Sequence, residues 1–391
     1  MYTKKKDLST TGIAEILRTN IRDYSQGHGL CSKQWKVVNA LINCRTSALG
    51  RHLFKCTSCG RERPCYNPCR DRHCPNCQYI LKEKWVNRRL KELLPVPYYH
   101  VVFTLPHALN DLISYNRGAL YNLLFRCVHE TLQSFSRDPR YLGAQSGYLA
   151  MLHTWGQTLS QHVHLHLIVA GGGITKAGEW KSVPYGGRFL FPVKAVGKMY
   201  RGKFISKLKK MQHKGLLVIP ESLSCYKQAH VFDHFLDCIA HKKWRVYCKK
   251  PFGSAGQVVR YIGRYSHRVA ISNRRICEYR DKEVRFTYKD YKDGSVIKEM
   301  KLSAHEFIRR FLLHILPHGF NKIRFYGFWS GKVKNELLQR IRCEMSGEVV
   351  DAEKEDEKLE EHSYHCPDCK TVMAFVMILD PIPRVVYANS S

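Results

Sequence analysis

His162-Val163-His164-Leu165-His166-Leu167-Ile168-Val169, leading into Gly171-Gly172-Gly173, is the stretch on which the fold turns. Imidazoles alternate with aliphatic side chains at the period of two that an extended strand shows to its two faces. His162, His164 and His166 then project to one side, and Val163, Leu165 and Leu167 enter a core. Three imidazoles on one strand face make half of a metal site. A bare His-x-His also reads as an exposed polar face, so the surroundings must decide.

Outward from this strand, Tyr98-Tyr99-His100-Val101-Val102-Phe103-Thr104-Leu105 is aromatic and β-branched, a second strand signature, and residues 244–247 give a third. Helical patterns over residues 112–132 and 200–211 separate them, so an α+β domain is expected from about residue 95. Before it, residues 1–43 carry apolar side chains at helical spacing: Ile13, Ile16, Leu17 and Ile21, then Trp35, Val38, Leu41 and Ile42. A further helix, 78–94, bears Lys82, Lys84, Arg88, Arg89 and Lys91 and is closed by Pro95 and Pro97. The expected division is a helical and zinc-binding module at 1–94, the strand-bearing domain at 95–275 and a helical, basic extension at 276–346. Residues 347–391 follow as an acidic linker with a zinc knuckle; eight acidic side chains against two lysines over 347–361 read as solvated chain.

Half of the 16 cysteines precede residue 80. Cys56-Thr57-Ser58-Cys59 and Cys74-Pro75-Asn76-Cys77 are two CxxC turns whose four thiolates complete the closed tetrahedral shell of a structural Zn²⁺. Cys44, His52, Cys69 and His73 are interleaved with them and offer a second site, although cysteine is also an ordinary buried residue. Cys366-Pro367-Asp368-Cys369 looks like half of a zinc ribbon with Cys343 and His365 as its obvious partners.

With 64 Lys+Arg against 33 Asp+Glu, the chain carries a formal charge of +31, a field whose natural partner is a polyanion, nucleic acid first. No apolar run approaches the roughly 20 residues of a membrane span, and the opening Met1-Tyr2-Thr3-Lys4-Lys5-Lys6 leads into no apolar stretch, so a cytoplasmic, nucleoid-associated protein is expected. The remaining signal is Ser254 to Tyr265, where Gln257, Tyr261 and Tyr265 recur every fourth residue and share one stripe of a helix. Taken alone, such tyrosines read as amphipathic core, and Gln257 as the partner of Ser254 in a capping box.

His-x-His on a strand and Tyr-x-x-x-Tyr on a later helix are together the two signatures of the HUH nucleases. The wider chain resembles the two-tyrosine rolling-circle insertion-sequence transposases, the IS ninety-one family. The likeness runs through Cys44-Arg45-Thr46, Asn67-Pro68-Cys69-Arg70-Asp71-Arg72-His73-Cys74-Pro75, His153-Thr154-Trp155-Gly156 and His164-Leu165-His166 with its glycines. It continues over residues 260–270 and 306–317.

The resemblance implies a ferredoxin-like HUH nuclease domain, with the histidine strand central in an antiparallel sheet and the tyrosine helix across it. It implies Mg²⁺ or Mn²⁺ on His164 and His166, with Gln257 or His162 as third ligand, and Tyr261 and Tyr265 as nucleophiles that form 5′-phosphotyrosine links. Arg260, Arg264, Arg268 and Lys207 would contact the single-stranded or hairpin DNA ends and the target DNA. A replication initiator or relaxase would use the same chemistry, while a non-catalytic zinc-dependent regulator would leave both motifs idle. The number of subunits is open.

Overall fold

The computed structural model describes residues 12–184, 190–242, 244–249, 257, 263, 269–331, 334–346 and 364–382. The chain opens with helices α1 (Ile13–Gly27) and α2 (Ser32–Asn43). They exist because Ile13, Ile16, Leu17 and Ile21 of one, and Val37, Val38, Leu41 and Ile42 of the other, form facing buried stripes. A hairpin, β1 (Arg51–Cys56) and β2 (Glu62–Tyr66), follows, and then α3 (Pro75–Lys91). Cys74 caps α3, and Pro75 at its first position supplies a preset φ without a wasted donor.

The main body is one antiparallel sheet built from β3 (Tyr98–Thr104), β4 (Gln145–Trp155), β5 (Gln161–Ile174), β6 (Trp180–Ser182), β7 (Val246–Lys249) and a late strand, Ile323–Tyr326. The late strand lies outside β4, followed by β5, β3 and β7, with β6 on the far end of β5. The histidine strand is therefore central, as expected, and the class is α+β. One face, with Tyr99, Val101, Phe103, Leu165 and Leu167, packs under α4 (Asn110–Tyr115), α5 (Arg117–Arg137), α6 (Val193–His213) and α7 (Ala229–Ala240). The opposite face carries Tyr98, Leu149, Met151 and Ile168 and is covered by Val86 of α3 and by Leu338 and Ile341 of a late helix, Lys334–Ser346. Both faces are covered, so β4 and β5 read as long buried runs.

After residue 275 the chain is not only helical. A three-stranded sheet forms from β8 (Ile276–Arg280), β9 (Glu283–Asp290) and β10 (Val296–Ser303), and α8 (Ala304–Leu313) packs on α1. Ile276, Val284, Phe286, Phe307 and Phe311 share a core with α1, α2 and the cysteines that precede α3. The late strand Ile323–Tyr326 is β11 and the late helix is α9. The last strand, β12 (Met373–Leu379), pairs antiparallel with β1 and completes the small sheet β12-β1-β2. The C-terminal segment thus returns to the N-terminal module. No described helix is long and apolar enough to cross a membrane.

Candidate metal and nuclease centre

The centre is built from two neighbouring strands. His164 and His166 share a face of β5, and β4 pairs His153 directly opposite His164. The ligand nitrogens of His153, His164 and His166 lie within 4.8 Å of one another, and all three rings are at least nine-tenths buried. His164 donates from Nδ1 to the His162 carbonyl at 2.7 Å, leaving Nε2 as an acceptor. His166 places Nδ1 2.9 Å from His100 Nε2, an arrangement that presents its own Nε2 to the centre. The two Nε2 atoms stand 3.0 Å apart. At that distance the two nitrogens share either a proton or a cation. With metal–nitrogen bonds of about 2.1 Å, neighbouring ligands at a right angle are separated by roughly 3.0 Å, so the residues fit a divalent ion with open positions.

The expected third ligands fare differently. His162 is not one of the three converging rings; it stacks on His107 with centroids 5.1 Å apart. Burial first, then His107 and Arg245, holds its imidazole below the ordinary range. Gln257 is helical and exposed. Tyr261, Tyr265, Arg260, Arg264 and Arg268 lie outside the described residues. In the same segment Gly263 is helical and buried, and a β carbon there would collide with Val86 of α3. That contact places the Gly263 backbone against α3, which covers the sheet face that carries the histidines. Lys207 belongs to α6, on the other face, and is ion-paired with Glu130 at 3.1 Å, away from the histidines.

His153 was legible in principle. A hairpin that folds about residues 156–160 sets 153 opposite 164, and the turn Gly156-Gln157-Thr158-Leu159-Ser160 marks it. His100, buried behind His166, arrives by long-range pairing of β3 with β5, and no local signal announces it.

The cysteines correct the sequence reading more sharply. Cys56, Cys59, Cys74 and Cys77 are not one quartet. Cys74 and Cys77 meet Cys44 and Cys69, whereas Cys56 and Cys59 meet Cys366 and Cys369. In the first cluster Sγ–Sγ separations are 3.5 Å for Cys74–Cys44, 3.6 Å for Cys44–Cys77 and 3.7 Å for Cys69–Cys77. Tetrahedral zinc with bonds of about 2.3 Å spans edges of roughly 3.8 Å, so the donor set fits. Without a cation the thiols compete: Cys69 and Cys74 draw the Cys44 pKa down to about 2, while Cys44 pushes Cys74 up to about 12.

His52 and His73, expected beside Cys44 and Cys69, are engaged elsewhere. His52 lies in β1 opposite Cys65, with its ring centroid 6.0 Å from that of Phe375. His73 bonds Asp71 at 2.9 Å through Nδ1 and accepts the Leu316 N–H at 3.2 Å through Nε2. Burial keeps that imidazole neutral more readily than usual, against the pull of Asp71.

Known proteins can now be set beside this arrangement. Residues 147–337 match the family model Y2_Tnp, described as "Putative transposase", and residues 16–105 match Zn_Tnp_IS91, the "Transposase zinc-binding domain". A "Putative transposase y4qJ" of Sinorhizobium fredii is 42% identical over 352 residues, covering 90% of this chain and 88% of that protein. The transposase for insertion sequence element IS801 of Pseudomonas savastanoi pv. phaseolicola is 28% identical over 318 residues, with 80% and 74% covered. The conjugative relaxase TrwC in complex with oriT DNA aligns with 43% of this chain and 71% of its own at 12% identity and a TM-score of 0.23, too slight a likeness to carry a conclusion. The first model spans the histidine strands and the tyrosine segment, the second spans the cluster of Cys44, Cys69, Cys74 and Cys77, and the chain belongs to the IS91 family of rolling-circle insertion-sequence transposases, DNA-binding enzymes with a structural zinc region near the N-terminus.

Proposed function

We propose that this transposase cuts and rejoins single-stranded DNA at the ends of its element with Tyr261 and Tyr265, beside a divalent ion held by His153, His164 and His166. The observation that carries the reading is the convergence of three imidazole nitrogens on two central strands. Nitrogen donors favour Mn²⁺ over Mg²⁺ in the usual order of divalent affinities. Bound there, the ion polarises the scissile phosphate and offsets charge on the departing 3′ oxygen. The His162 carbonyl and His100 hold the two β5 imidazoles in the required tautomer. A tyrosine oxygen attacks phosphorus as the 3′ oxygen leaves, giving a 5′-phosphotyrosine and a free 3′-hydroxyl. The phosphodiester energy stays in that bond, so rejoining requires no nucleotide hydrolysis.

Two tyrosines one helical turn apart rise about 6 Å along the axis, so both reach one centre. One holds the first 5′ end while the other attacks a second strand. The module of residues 1–94, with zinc on Cys44, Cys69, Cys74 and Cys77, fixes the start of basic α3 over the same sheet face and orients it toward hairpin ends and target DNA. The reaction takes place in the cytoplasm, on the nucleoid.

The test is to incubate the protein with labelled single-stranded element ends and Mn²⁺, digest the covalent adduct and sequence the DNA-linked peptide. A peptide containing Tyr261 or Tyr265 is expected, and Tyr261→Phe with Tyr265→Phe abolishes it. A linked peptide lacking both residues overturns the mechanism.

A further inference from the structure

The small sheet β12-β1-β2 has almost no core. Among the described residues its buried apolar cluster comprises Cys56, Cys366 and Met373, with Phe54 packed against them. β12 is apolar in sequence, yet Phe375, Val376, Met377 and Ile378 are exposed, Ile378 by 63%. Burial therefore does not explain why a strand from the far end of the chain stays on β1. Besides the backbone pairing of β1 with β12, the seam concentrates thiols. Cys56 lies 3.4 Å from Cys369, Cys59 lies 3.6 Å from Cys366 and Cys369 lies 3.8 Å from Cys59, sulfur to sulfur.

The two turns that present these sulfurs are near copies of each other. The Cys56 N–H donates to the Arg61 carbonyl at 2.9 Å, and the Gly60 N–H donates back to the Cys56 carbonyl at 3.1 Å. The Cys366 N–H donates to the Thr371 carbonyl at 2.8 Å, and the Lys370 N–H to the Cys366 carbonyl at 3.0 Å. The residue after the second cysteine is left-handed in both: Gly60 at φ +75° and Lys370 at φ +63°. Glycine adopts that conformation freely, whereas lysine does so at a cost that the surrounding contacts must offset. The Cys59 N–H also points to Cys56 Sγ at 3.5 Å. Arg61 and Asp368 form an ion pair across the two turns.

We propose that Cys56, Cys59, Cys366 and Cys369 bind a second structural Zn²⁺ that clamps the C-terminal segment onto the N-terminal module. Four thiolates leave no open position, so this ion does no chemistry on DNA. Its work is to close a loop of 307 residues between Cys59 and Cys366, which the sparse core cannot do. The assignment rests on the thiols and turns alone and is independent of the reading of the histidine centre. It also makes the finished N-terminal sheet conditional on the last residues of the chain.

The experiment uses the full-length protein, stripped briefly with a weak chelator to empty the open histidine centre. Elemental analysis should find two zinc ions per chain, and Cys366→Ser with Cys369→Ser should lower this to one. Exchange of zinc for Co²⁺ should give thiolate-to-cobalt absorption from two equivalents in the wild type and about half that in the double variant. Limited trypsin digestion should then release the segment after residue 346 from the variant and spare it in the zinc-loaded wild type. One zinc in the wild type, or two retained in the variant, overturns the proposal; so does iron in place of zinc. The cobalt titration of the wild type needs no variant and keeps the count decisive if the variant folds poorly.

Discussion

The histidine centre and the cysteine centres make opposite uses of their surroundings. His153, His164 and His166 stand on β4 and β5, in the middle of a sheet whose two faces are packed by long apolar runs. That sheet holds its shape by burial, and the ligands are guests on it. Cys44, Cys69, Cys74 and Cys77 join a second core, that of α1, α2 and α8, whereas Cys56, Cys59, Cys366 and Cys369 sit where the chain has little to bury, in the turns of the sheet β12-β1-β2. There the ligands are the structure. A site that a core supports can spend its metal on chemistry, while a site without one must spend it on folding.

The sharpest way to break this contrast is metal removal, which also carries the largest expected effect. Strong chelation, or Cys74→Ser, should unfold the N-terminal module, since structural zinc in a small domain contributes on the order of 10 kcal/mol. The sheet of β3, β4 and β5 should persist. Hydrogen exchange read by mass spectrometry checks both at once: protection lost across residues 13–91 and kept across 98–104 and 145–174. Equal loss in both regions would erase the distinction.

Next in size is the loss of one histidine. His153→Ala should reduce nicking by at least about a thousandfold, because a divalent ion contributes several kcal/mol to phosphoryl transfer. Thermal stability and DNA binding should change little. His100→Ala removes the ring that bonds His166, and should instead raise the Mn²⁺ concentration for half-maximal nicking by about ten- to a hundredfold, with rate recovered at saturating metal. A rate loss in His100→Ala that added metal does not relieve would assign His100 to the reaction itself.

How much of this was legible follows from the same contrast. Strand alternation is a local rule, so His164 and His166 were placed on one face from eight residues of sequence, and the central antiparallel position came with them. His153 is not announced in this way because facing positions in a hairpin depend on the turn as well as the strand, and it lies eleven residues from His164. The cysteines misled for a different reason. Every CxxC offers the same two thiolates, so spacing identifies half-sites without saying which halves meet, and the partners of Cys56 and Cys59 are Cys366 and Cys369, some three hundred residues on. Pairing was decided by β12 on β1 and by Cys44 at the end of α2, both long-range events. Nor does composition reveal that Lys207 faces Glu130 on the far side of the sheet.

The seam between the two regions gives the smallest and most specific test. His314, just past α8, is wholly enclosed: Thr154 lies 3.1 Å from its Nδ1, and its Nε2–H donates to the Leu159 carbonyl at 3.0 Å. Thr154 follows His153 on β4, and Leu159 belongs to the core shared with α1, α2 and α8, so this imidazole ties the nuclease sheet to the N-terminal side. Burial is the main reason its pKa falls to about 4. In the unfolded chain the same group titrates near 6.5. Below that value the unfolded state binds the proton and the folded state does not, so stability present above pH 6.5 is lost as the pH falls toward 4. At about 1.4 kcal/mol per pH unit, the loss reaches roughly 2 kcal/mol by pH 5. His314→Gln keeps both hydrogen bonds within reach and removes the titration. Urea midpoints of wild type and variant, measured from pH 8 to 5, should therefore converge or cross as acid is added, with zinc content unchanged in both. Parallel midpoints over that range would mean that His314 takes up its proton at the same pH in the fold as in the unfolded chain, and would overturn the burial argument.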